Sequence, residues 1–359
     1  MVNRTLLLLI CFSASAFAQE FKWYGDVRVR AQREKELDRE VHNQLRLRAR
    51  FGVNVKIDDE WRAEIRLATS KSNRSNNQTL GDPSEPGSRR RFIGLDVGYI
   101  DYTPASFVHL YGGRFPQVHF RPGESQIILD DDLSLEGAGA KLDYEFYPNV
   151  SVYLSGGSTY IRENYDNYYA QDLSDNMLNF GQLGVRWKQD GYELNVGSGF
   201  YNFTSVQGKK FGDLAVGGKS DGNSEGLSGE VKYPYLPKQF YIDFKFPLSS
   251  LKTSVFGEYI ENGEGGDLNH AWWTGFSLGQ NSWDMQLGAT QVDSDAVMAM
   301  FTHSDFGNGK TDVRGYIGSV RWKFMRNVSL KLVQFYGWNN MHLAPVEYDR
   351  THVDLTASF

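Results

Sequence analysis

Two neighbouring stretches between residues 44 and 70 alternate strictly between apolar and polar side chains. The apolar set is Leu45, Leu47, Ala49, Phe51, Val53, Val55 and Ile57 in the first stretch, and Trp61, Ala63, Ile65 and Leu67 in the second. Successive side chains of a β-strand point to opposite faces, so a period of two indicates strands. The acidic run at residues 58–60 separates the stretches. Together they predict a β-hairpin with one apolar face.

The opposite face of this hairpin, and of the strand predicted before it, carries mainly arginine. The arginines are Arg28, Arg30, Arg46, Arg48, Arg50, Arg62 and Arg66. A β-sandwich would bury the apolar face against a second sheet, but such a row of guanidinium groups requires water beside it. A membrane β-barrel satisfies both faces, because lipid covers the outside and water fills the lumen. We therefore expect these arginines to line a pore; the alternative is a solvated face without selectivity.

The spacing of turn residues predicts the architecture. Short turns near residues 103–106, 147–149, 189–191, 247–250, 280–282 and 325–327 alternate with longer segments near 116–136, 163–177, 205–238, 261–270, 293–312 and 338–348. Short periplasmic turns and long outer loops are typical of outer-membrane barrels. We predict an all-β, transmembrane, antiparallel up-and-down β-barrel of about sixteen strands. About eighteen is the alternative, because residues 227–233 could hide a further strand pair.

The first 18 residues have the pattern of a secretory leader. Arg4 supplies a positive charge, residues 6–12 are apolar, and residues 16–18 form a small-x-small cleavage site. We predict a signal peptide at residues 1–18 and a mature barrel at residues 19–359. The single cysteine, Cys11, lies in the leader, which excludes disulfides in the mature chain. Acylation of Cys11 is the less favoured alternative, because the preceding Ile10 is bulky.

Residues 116–136 combine charged side chains with an apolar run. The charged residues are Arg121, Glu124, Asp130, Asp131, Asp132 and Glu136. The run Ile127, Ile128, Leu129 is unusual for a loop in water and indicates packing against the inner wall. We predict a loop that folds into the lumen and constricts it; an outer loop packed on its neighbours is the alternative. A calcium site on the three aspartates is disfavoured, because the ligand spacing of a calcium loop is missing.

Two functional classes compete with a channel. A barrel enzyme of the lipase or protease type would place Ser or Asp beside His near the rim, but the seven histidines are scattered and no nucleophile elbow accompanies them. An adhesin or phage receptor would use the same outer loops and stays open. The formal net charge of −6 disfavours a nucleic-acid partner. We expect no catalysis, no cofactor and no metal.

Tyrosines near predicted strand ends also allow two interpretations. They are Tyr165, Tyr168, Tyr169, Tyr233, Tyr235 and Tyr241. They could form an aromatic slide for sugars inside a channel. We expect instead that they belong to the aromatic belt at the membrane interface, which accounts for such positions more simply.

The C-terminal strand ends in Phe359, and residues 44–70, 112–116 and 129–137 carry further recurring patterns. In these features the chain resembles Gram-negative outer-membrane porins, and more narrowly the putative porins related to general diffusion porins. The resemblance implies a water-filled outer-membrane channel for passive diffusion of small hydrophilic solutes and ions, often homotrimeric, with the loop after the fifth strand folded inward. It also implies contacts with lipid and lipopolysaccharide, and recognition of Phe359 by the barrel-assembly machinery. The arginines add an expected bias toward anions.

Overall fold

The structure is a computed structural model that describes residues 20–37, 39–70, 72, 74–84, 89–165, 174–215 and 217–359; the predicted leader lies outside these residues. Within these residues, seventeen strands form one sheet. They are β1 (Glu20–Glu36), β2 (His42–Lys56), β3 (Trp61–Ala68), β4 (Gln78–Thr79), β5 (Gly94–Ala105), β6 (Val108–Pro116), β7 (Ser134–Tyr147), β8 (Val150–Arg162), β9 (Asn176–Gln189), β10 (Tyr192–Thr204), β11 (Pro237–Leu248), β12 (Leu251–Asn262), β13 (His270–Gly279), β14 (Trp283–Val292), β15 (Val313–Met325), β16 (Val328–Asn339) and β17 (Val346–Ser358). The helical segments are α1 (Phe211–Leu214) and the 3-10 turns Pro122–Glu124, Ala299–Phe301 and Phe306–Asn308.

The sheet is antiparallel and closed. β1 pairs with β2 on one side and with β17 on the other, so that Val29 faces both Leu47 and Leu355. The two-residue β4 only adds a short pairing to β2, which leaves sixteen strands in the wall and confirms the predicted barrel. The eighteen-strand alternative is wrong, because the described part of residues 205–236 forms α1 and isolated bridges instead of a strand pair.

The outer face of the barrel is apolar, as lipid requires. Exposed outward side chains include Val27, Phe51, Ile65, Leu183, Ile242, Val320 and Leu355. Aromatic pairs lie near the short turns, among them Trp61 with Tyr102, whose ring centroids are 4.3 Å apart. These pairs form an interfacial aromatic belt. No helix in the described residues is long and apolar enough to cross a membrane.

Two register shifts explain why the sequence alternation slips around residues 92–115. The pairing of β3 with β5 shifts between Arg66 and Leu67, and that of β5 with β6 shifts between Tyr102 and Ala105. A β-bulge places an extra residue in one strand and re-aims the side chains that follow. These bulges therefore account for the irregular alternation of the stretch.

The C-terminal residue completes the closure of the barrel. The backbone N–H of Gly25 donates to the carbonyl oxygen of Phe359 at 3.0 Å, and the N–H of Phe359 donates back to Gly25 at 3.0 Å. The Phe359 ring covers Gly25, where a Cβ atom would come within 2.5 Å of it. The ring also contacts Phe51, with centroids 6.4 Å apart. A Cβ atom at position 25 would also come within 2.5 Å of the Arg50 carbonyl oxygen, which is fixed in the sheet, so this close approach of the backbone requires glycine.

The interior of the barrel has two different halves. Toward the long loops, infolded loop residues and the ends of the strands form an apolar cluster that includes Ile128, Leu129, Phe203, Val297, Met298 and Phe335. Toward the short turns, the inward side chains are mainly charged or small, as in Asp243, Lys245, Ser254 and Arg321. The lumen is therefore partly filled on the long-loop side and polar on the short-turn side.

Candidate functional site

The loop between β6 and β7, residues 117–133, runs along the inside of the wall; we call it the inner loop. Its first contact is with β9, where the Phe120 N–H donates to Gln182 Oε1 at 2.7 Å and Gln182 Nε2 donates to the Phe120 carbonyl at 2.9 Å. Further along, the Gly123 N–H donates to Asp243 Oδ2 on β11 at 3.1 Å. Gln286 Nε2 on β14 donates to the Gly123 carbonyl at 2.9 Å. The inner loop thus spans the wall from β9 to β14.

A buried carboxylate on β12 holds the middle of the inner loop. Glu258 is 5% exposed and accepts hydrogen bonds from the Ser125 hydroxyl and from the Gln239 side chain. Loss of Glu258 would leave the buried Ser125 and Gln239 donors without their acceptor, which costs free energy. Sequence analysis did not single out Glu258. A Glu at an inward position of an alternating strand is common, so the sequence alone does not indicate that this one binds the inner loop.

The apolar run of the inner loop is part of the cluster formed by the long loops. Ile127, Ile128 and Leu129 are 6%, 3% and 1% exposed. Thr302 Oγ1, in the loop between β14 and β15, donates to the Ile127 carbonyl at 2.5 Å. The run therefore packs against other infolded residues, and its burial stabilises the inner loop within the barrel.

The three successive aspartates of the inner loop have three different environments. Asp130 is 2% exposed and accepts from the Ser304 N–H at 2.6 Å. Asp131 pairs with Arg121, whose Nη2 lies 2.6 Å from Oδ1. Asp132 accepts from the Asn76 N–H at 3.1 Å and lies 3.8 Å from Arg48 Nη1. No group of three or more His, Cys, Asp or Glu side chains that could hold a metal occurs in the described residues.

Burial raises the pKa of Asp130 to about 7, and the neighbouring Asp132 acts in the same direction. The Ser304 and Asp132 amides oppose this effect. Desolvation is the larger influence because the charged form has lost its water. The carboxyl group that sequence analysis assigned to the constriction is therefore enclosed within the loop packing, and it titrates near neutral pH.

Four of the seven arginines singled out by sequence have close carboxylate partners. Arg48 and Arg50 share Asp26, at 2.9 Å and 2.7 Å. Arg66 lies 2.7 Å from Asp96. Arg30 is held by two carboxylates: its Nε lies 2.7 Å from Asp354 and its Nη1 lies 3.0 Å from Asp305. Pairing of this kind offsets much of the positive field that a row of arginines would otherwise produce.

The other three arginines are less neutralised. Arg28 donates to Asn77 Oδ1 at 2.6 Å, and its nearest carboxylate oxygen, on Asp354, is 3.7 Å away. Arg46 donates to Gln32 Oε1 at 3.2 Å and to the Asn77 carbonyl at 3.2 Å, both neutral acceptors. Arg62 is exposed at the short-turn end of β3. Glu136, at the edge of the predicted loop, belongs to β7 and pairs with Arg114 on β6.

Two cavities meet beside the inner loop. The upper cavity is bordered by the inner loop and by β1, β2 and β13–β17, and includes Arg28, Asp131, Asp132 and Trp273. The lower cavity opens among short-turn residues such as Lys252 and Asp284. Five residues line both cavities, and we call them the constriction: Gly123, Glu124, Gln286, Ser319 and Lys331. The two cavities are thus the two sides of one narrow place in the lumen.

Lys331 is the charged constriction residue that sequence analysis did not select. It follows the inward side of β16, where it is paired in register with Arg321 on β15 and with Asp354 on β17. Alternation alone identifies it as an inward polar residue. Its position at the narrow place depends on where the inner loop lies, and no local pattern around Lys331 encodes that.

Two of the tyrosines expected in the aromatic belt are buried inside the barrel. Tyr241 is 0% exposed, and its hydroxyl lies 2.8 Å from that of Tyr153. The ring of Phe120 stacks on Tyr241 with centroids 5.3 Å apart. Tyr235 donates to Asp295 Oδ1 at 2.8 Å beneath the long loops. The belt expectation is wrong for Tyr235 and Tyr241, while Tyr168 and Tyr169 lie outside the described residues.

The comparison with protein families decides the class of this barrel. A family model described as putative porin matches residues 34–225 and 258–359. The chain belongs to the putative porin family. The porin motifs noted in the sequence at residues 44–70, 112–116 and 129–137 all fall within the matched residues. The comparison with curated proteins returned no match.

Solved outer-membrane proteins share the fold of this porin at low identity. A loop-deletion variant of OmpT, an outer-membrane protein of Vibrio cholerae, has a TM-score of 0.54 at 12% identity, covering 95% of this chain and 100% of that one. OmpF of Salmonella typhi, in complex with daunomycin, has a TM-score of 0.55 at 10% identity, covering 94% and 97%. A mutant of the Rh. blastica porin has a TM-score of 0.50 at 10% identity, covering 95% and 100%. These likenesses show the fold, and membership of the putative porin family makes this chain a passive-diffusion channel of the outer membrane.

The pKa of Asp130 gives the inner loop a testable pH dependence. The carboxyl pKa is about 7 in the docked loop against an ordinary 3.8, so docking favours the protonated form and weakens as pH rises from about 4 to about 7. Between these two pKa values, each pH unit changes the equilibrium constant for docking of the inner loop about tenfold. Hydrogen exchange of the detergent-folded protein should therefore show the protection of the Ser304 amide falling about tenfold between pH 5 and pH 6, after correction for intrinsic exchange, and levelling off above pH 7. Asp130→Asn should remove this dependence; the same slope in the Asn variant would contradict the assignment.

Proposed function

We propose that this porin passes small hydrophilic solutes and ions through the constriction between the inner loop and β14–β16, with a bias toward anions. The observation that carries the proposal is that the upper and lower cavities share Gly123, Glu124, Gln286, Ser319 and Lys331. A solute that passes these residues therefore moves directly from one cavity into the other. Rings of charge at such narrow places set selectivity in channels.

The bias toward anions rests on the cations of the lumen that lack a close carboxylate partner. Of the five cationic residues that line the lower cavity, Arg121, Lys245 and Arg321 are paired with Asp131, Glu193 and Asp284. Lys252 and Lys331 have no ion-pair partner among the described residues, and the acids left beside them are Glu124 and Asp243. Arg28 and Arg46 add positive charge from the wall, because the acceptors closest to them are neutral. The closely paired Arg30, Arg48, Arg50 and Arg66 contribute less. An excess of positive charge raises the local concentration of anions.

We also propose that the barrel has no catalytic activity. The histidine closest to a triad is His109, near the short turn between β5 and β6, beside Asp101 and Thr103. Both neighbours approach the same ring nitrogen, Nδ1, at 3.1 Å and 3.2 Å. A catalytic histidine contacts its carboxylate through one nitrogen and its nucleophile through the other. The arrangement at His109 is therefore that of a hydrogen-bonded turn.

The partners we propose for this porin follow from its surface. The apolar outer face contacts membrane lipid, and the long loops at its upper edge contact lipopolysaccharide. A trimer form has been described for OmpT of Vibrio cholerae, whose structure matches this chain with a TM-score of 0.51. By analogy we propose a homotrimer here. The barrel-assembly machinery is proposed to read Phe359, whose side chain is 63% exposed on the outer face.

Neutralising lysines of the lower cavity should reduce the anion preference. Lys252→Gln and Lys331→Gln each remove one positive charge beside the path, and a unit charge a few ångströms away in water is worth about 1 kcal/mol. The chloride-to-potassium permeability ratio, from the reversal potential of single channels in a salt gradient, should fall about fivefold or less in dilute salt.

The control is Lys219→Gln, an exposed lysine of the long loop between β10 and β11, which should leave the ratio unchanged. The effect should also shrink at about 1 M salt, where screening acts over roughly 3 Å. A ratio that stays at the wild-type value in both lower-cavity variants would overturn the proposed origin of the bias.

Replacing Phe359 with Ala should impair assembly in cells while preserving the barrel. The substitution keeps the two backbone bonds to Gly25 and removes only the terminal ring. We expect the amount of folded protein in the outer membrane to fall severalfold, and folding in detergent, measured by heat-modifiable gel migration, to stay near normal. Phe51→Ala is the matched control, since it removes the ring that contacts Phe359 on the same face. Equal membrane levels of the two variants would show that Phe359 is not the assembly signal.

A further inference from the structure

Two opposite charges without close partners border the constriction. Glu124 is exposed on the inner loop, and Lys331 is half-buried on β16. Among the described residues, neither side chain makes a hydrogen bond or an ion pair of its own, although both line the same narrow place. An exposed carboxylate and a free ammonium on facing walls create an electric field across the path.

The backbone holds Glu124 in a conformation that L-residues rarely adopt. Its φ angle is 58°, and that of Gly123 before it is 53°. Both groups of the Gly123 backbone are bound to the wall, through Asp243 and Gln286. A left-handed non-glycine residue is strained and persists only where its surroundings fix it, and such strain is concentrated at functional sites. The fixed turn directs Glu124 to the constriction.

The separation of charge continues above the constriction. Asp131 and Asp132 line the upper cavity from the inner loop, whereas Arg28 and Arg48 line it from β1 and β2. Asp354 on β17 also lines the cavity, but Arg30 binds it at 2.7 Å, so the wall side keeps an excess of cations and the loop side an excess of acids. A lone anion in this space meets the loop carboxylates, and a lone cation meets the wall arginines and Lys331. A solute that carries both charges satisfies both sides at once.

The upper cavity also has an apolar flank. Ile317, Val333 and Phe335 line it beside Lys331. Trp273 lines it as well. A ligand with a short apolar group matches this wall.

We propose that the upper cavity and the constriction form a subsite for zwitterionic α-amino acids with small apolar side chains. The carboxylate lies against Lys331 and Arg28, and the ammonium group lies against Glu124 and Asp132. The side chain packs on Ile317 and Val333. The inference rests on the proposed path through the constriction, and it names the solute class that this path favours. Binding is weak, because a channel site must release its solute as readily as it admits it.

Swelling of proteoliposomes in isosmotic solutes tests this preference. The probes are valine, glycine and ribose, which is uncharged and similar in size to valine. We expect valine to permeate about fivefold faster than ribose, and faster than glycine despite its larger size. Permeation of ribose and of potassium chloride shows whether the channel path is open at all. If neither passes, the proposed channel path fails; if ribose passes and valine is no faster, the subsite is refuted while the channel stands.

Charge exchange at the constriction supplies the sharpest form of the test. Glu124→Lys and Lys331→Glu each leave two like charges facing each other, and each should lower the valine-to-ribose ratio to about one. The double variant E124K/K331E restores opposite charges and should recover most of the ratio. Heat-modifiable migration and ribose permeation confirm that each variant is folded and open. A double variant no better than either single variant would overturn the proposal.

A substitution on the apolar flank separates side-chain packing from charge. Val333→Thr keeps the shape of the side chain and replaces a methyl group with a hydroxyl. The valine-to-glycine ratio should fall about twofold to threefold, while the glycine-to-ribose ratio stays constant. Val320→Thr, on the lipid-facing side of β15, is the matched control and should change neither ratio. An unchanged valine-to-glycine ratio in Val333→Thr would exclude the flank from the subsite.

Discussion

Closure of the sheet is the constraint on which the rest of this porin depends. In hydrocarbon no water can satisfy an unpaired backbone group, so the first strand must pair with both its neighbour in sequence and the last strand. β1 does this over most of its length, from Asp26 to Glu36 against β17 and from Glu20 to Glu34 against β2. The closed wall then imposes a period of two on every strand. When an apolar residue points outward, the residues before and after it in the strand therefore face the lumen.

The charged side chains that face the lumen lie close together and must be neutralised. Many of these charges are paired between strands that are neighbours in the sheet, such as Arg48 on β2 with Asp26 on β1 and Arg30 on β1 with Asp354 on β17. Breaking one partner of a buried pair leaves an uncompensated charge, which is strongly destabilising. Glu258 and Asp243 serve differently, since they hold the inner loop instead of an arginine. Glu124 and Lys331 make no such pair within the described residues, and they are the charges that the proposed subsite uses.

The sequence predicted those features that are set by local patterns. Alternation in residues 44–70 identified the hairpin and both of its faces, and the turn residues gave the number of strands in the wall. The apolar run at Ile127 indicated a buried loop, and the run is buried in the structure. The seven arginines were recognised as inward-facing, and pore-lining by them remains a prediction.

Features set by contacts between remote residues could not be predicted. Asp26 and Asp354 are ordinary strand acids until the register places them beside Arg48 and Arg30. Asp130, Asp131 and Asp132 look equivalent in sequence, yet only Asp130 is fully enclosed, because Ser304 and Phe301 come from another loop. Tyr241 was assigned to the membrane interface for the same reason, since the ring of Phe120 that covers it belongs to the inner loop.

In the proposed channel, Glu124 of the inner loop borders the narrow place through which solutes pass. Cysteine at this position, in a chain that starts at residue 19 and so lacks Cys11, allows a bulky uncharged thiol reagent to be attached there. Single-channel conductance in potassium chloride should fall by more than half after labelling of Glu124→Cys, and should not change after labelling of Lys219→Cys on an outer loop. Complete labelling of position 124, verified by mass, with unchanged conductance would contradict the account.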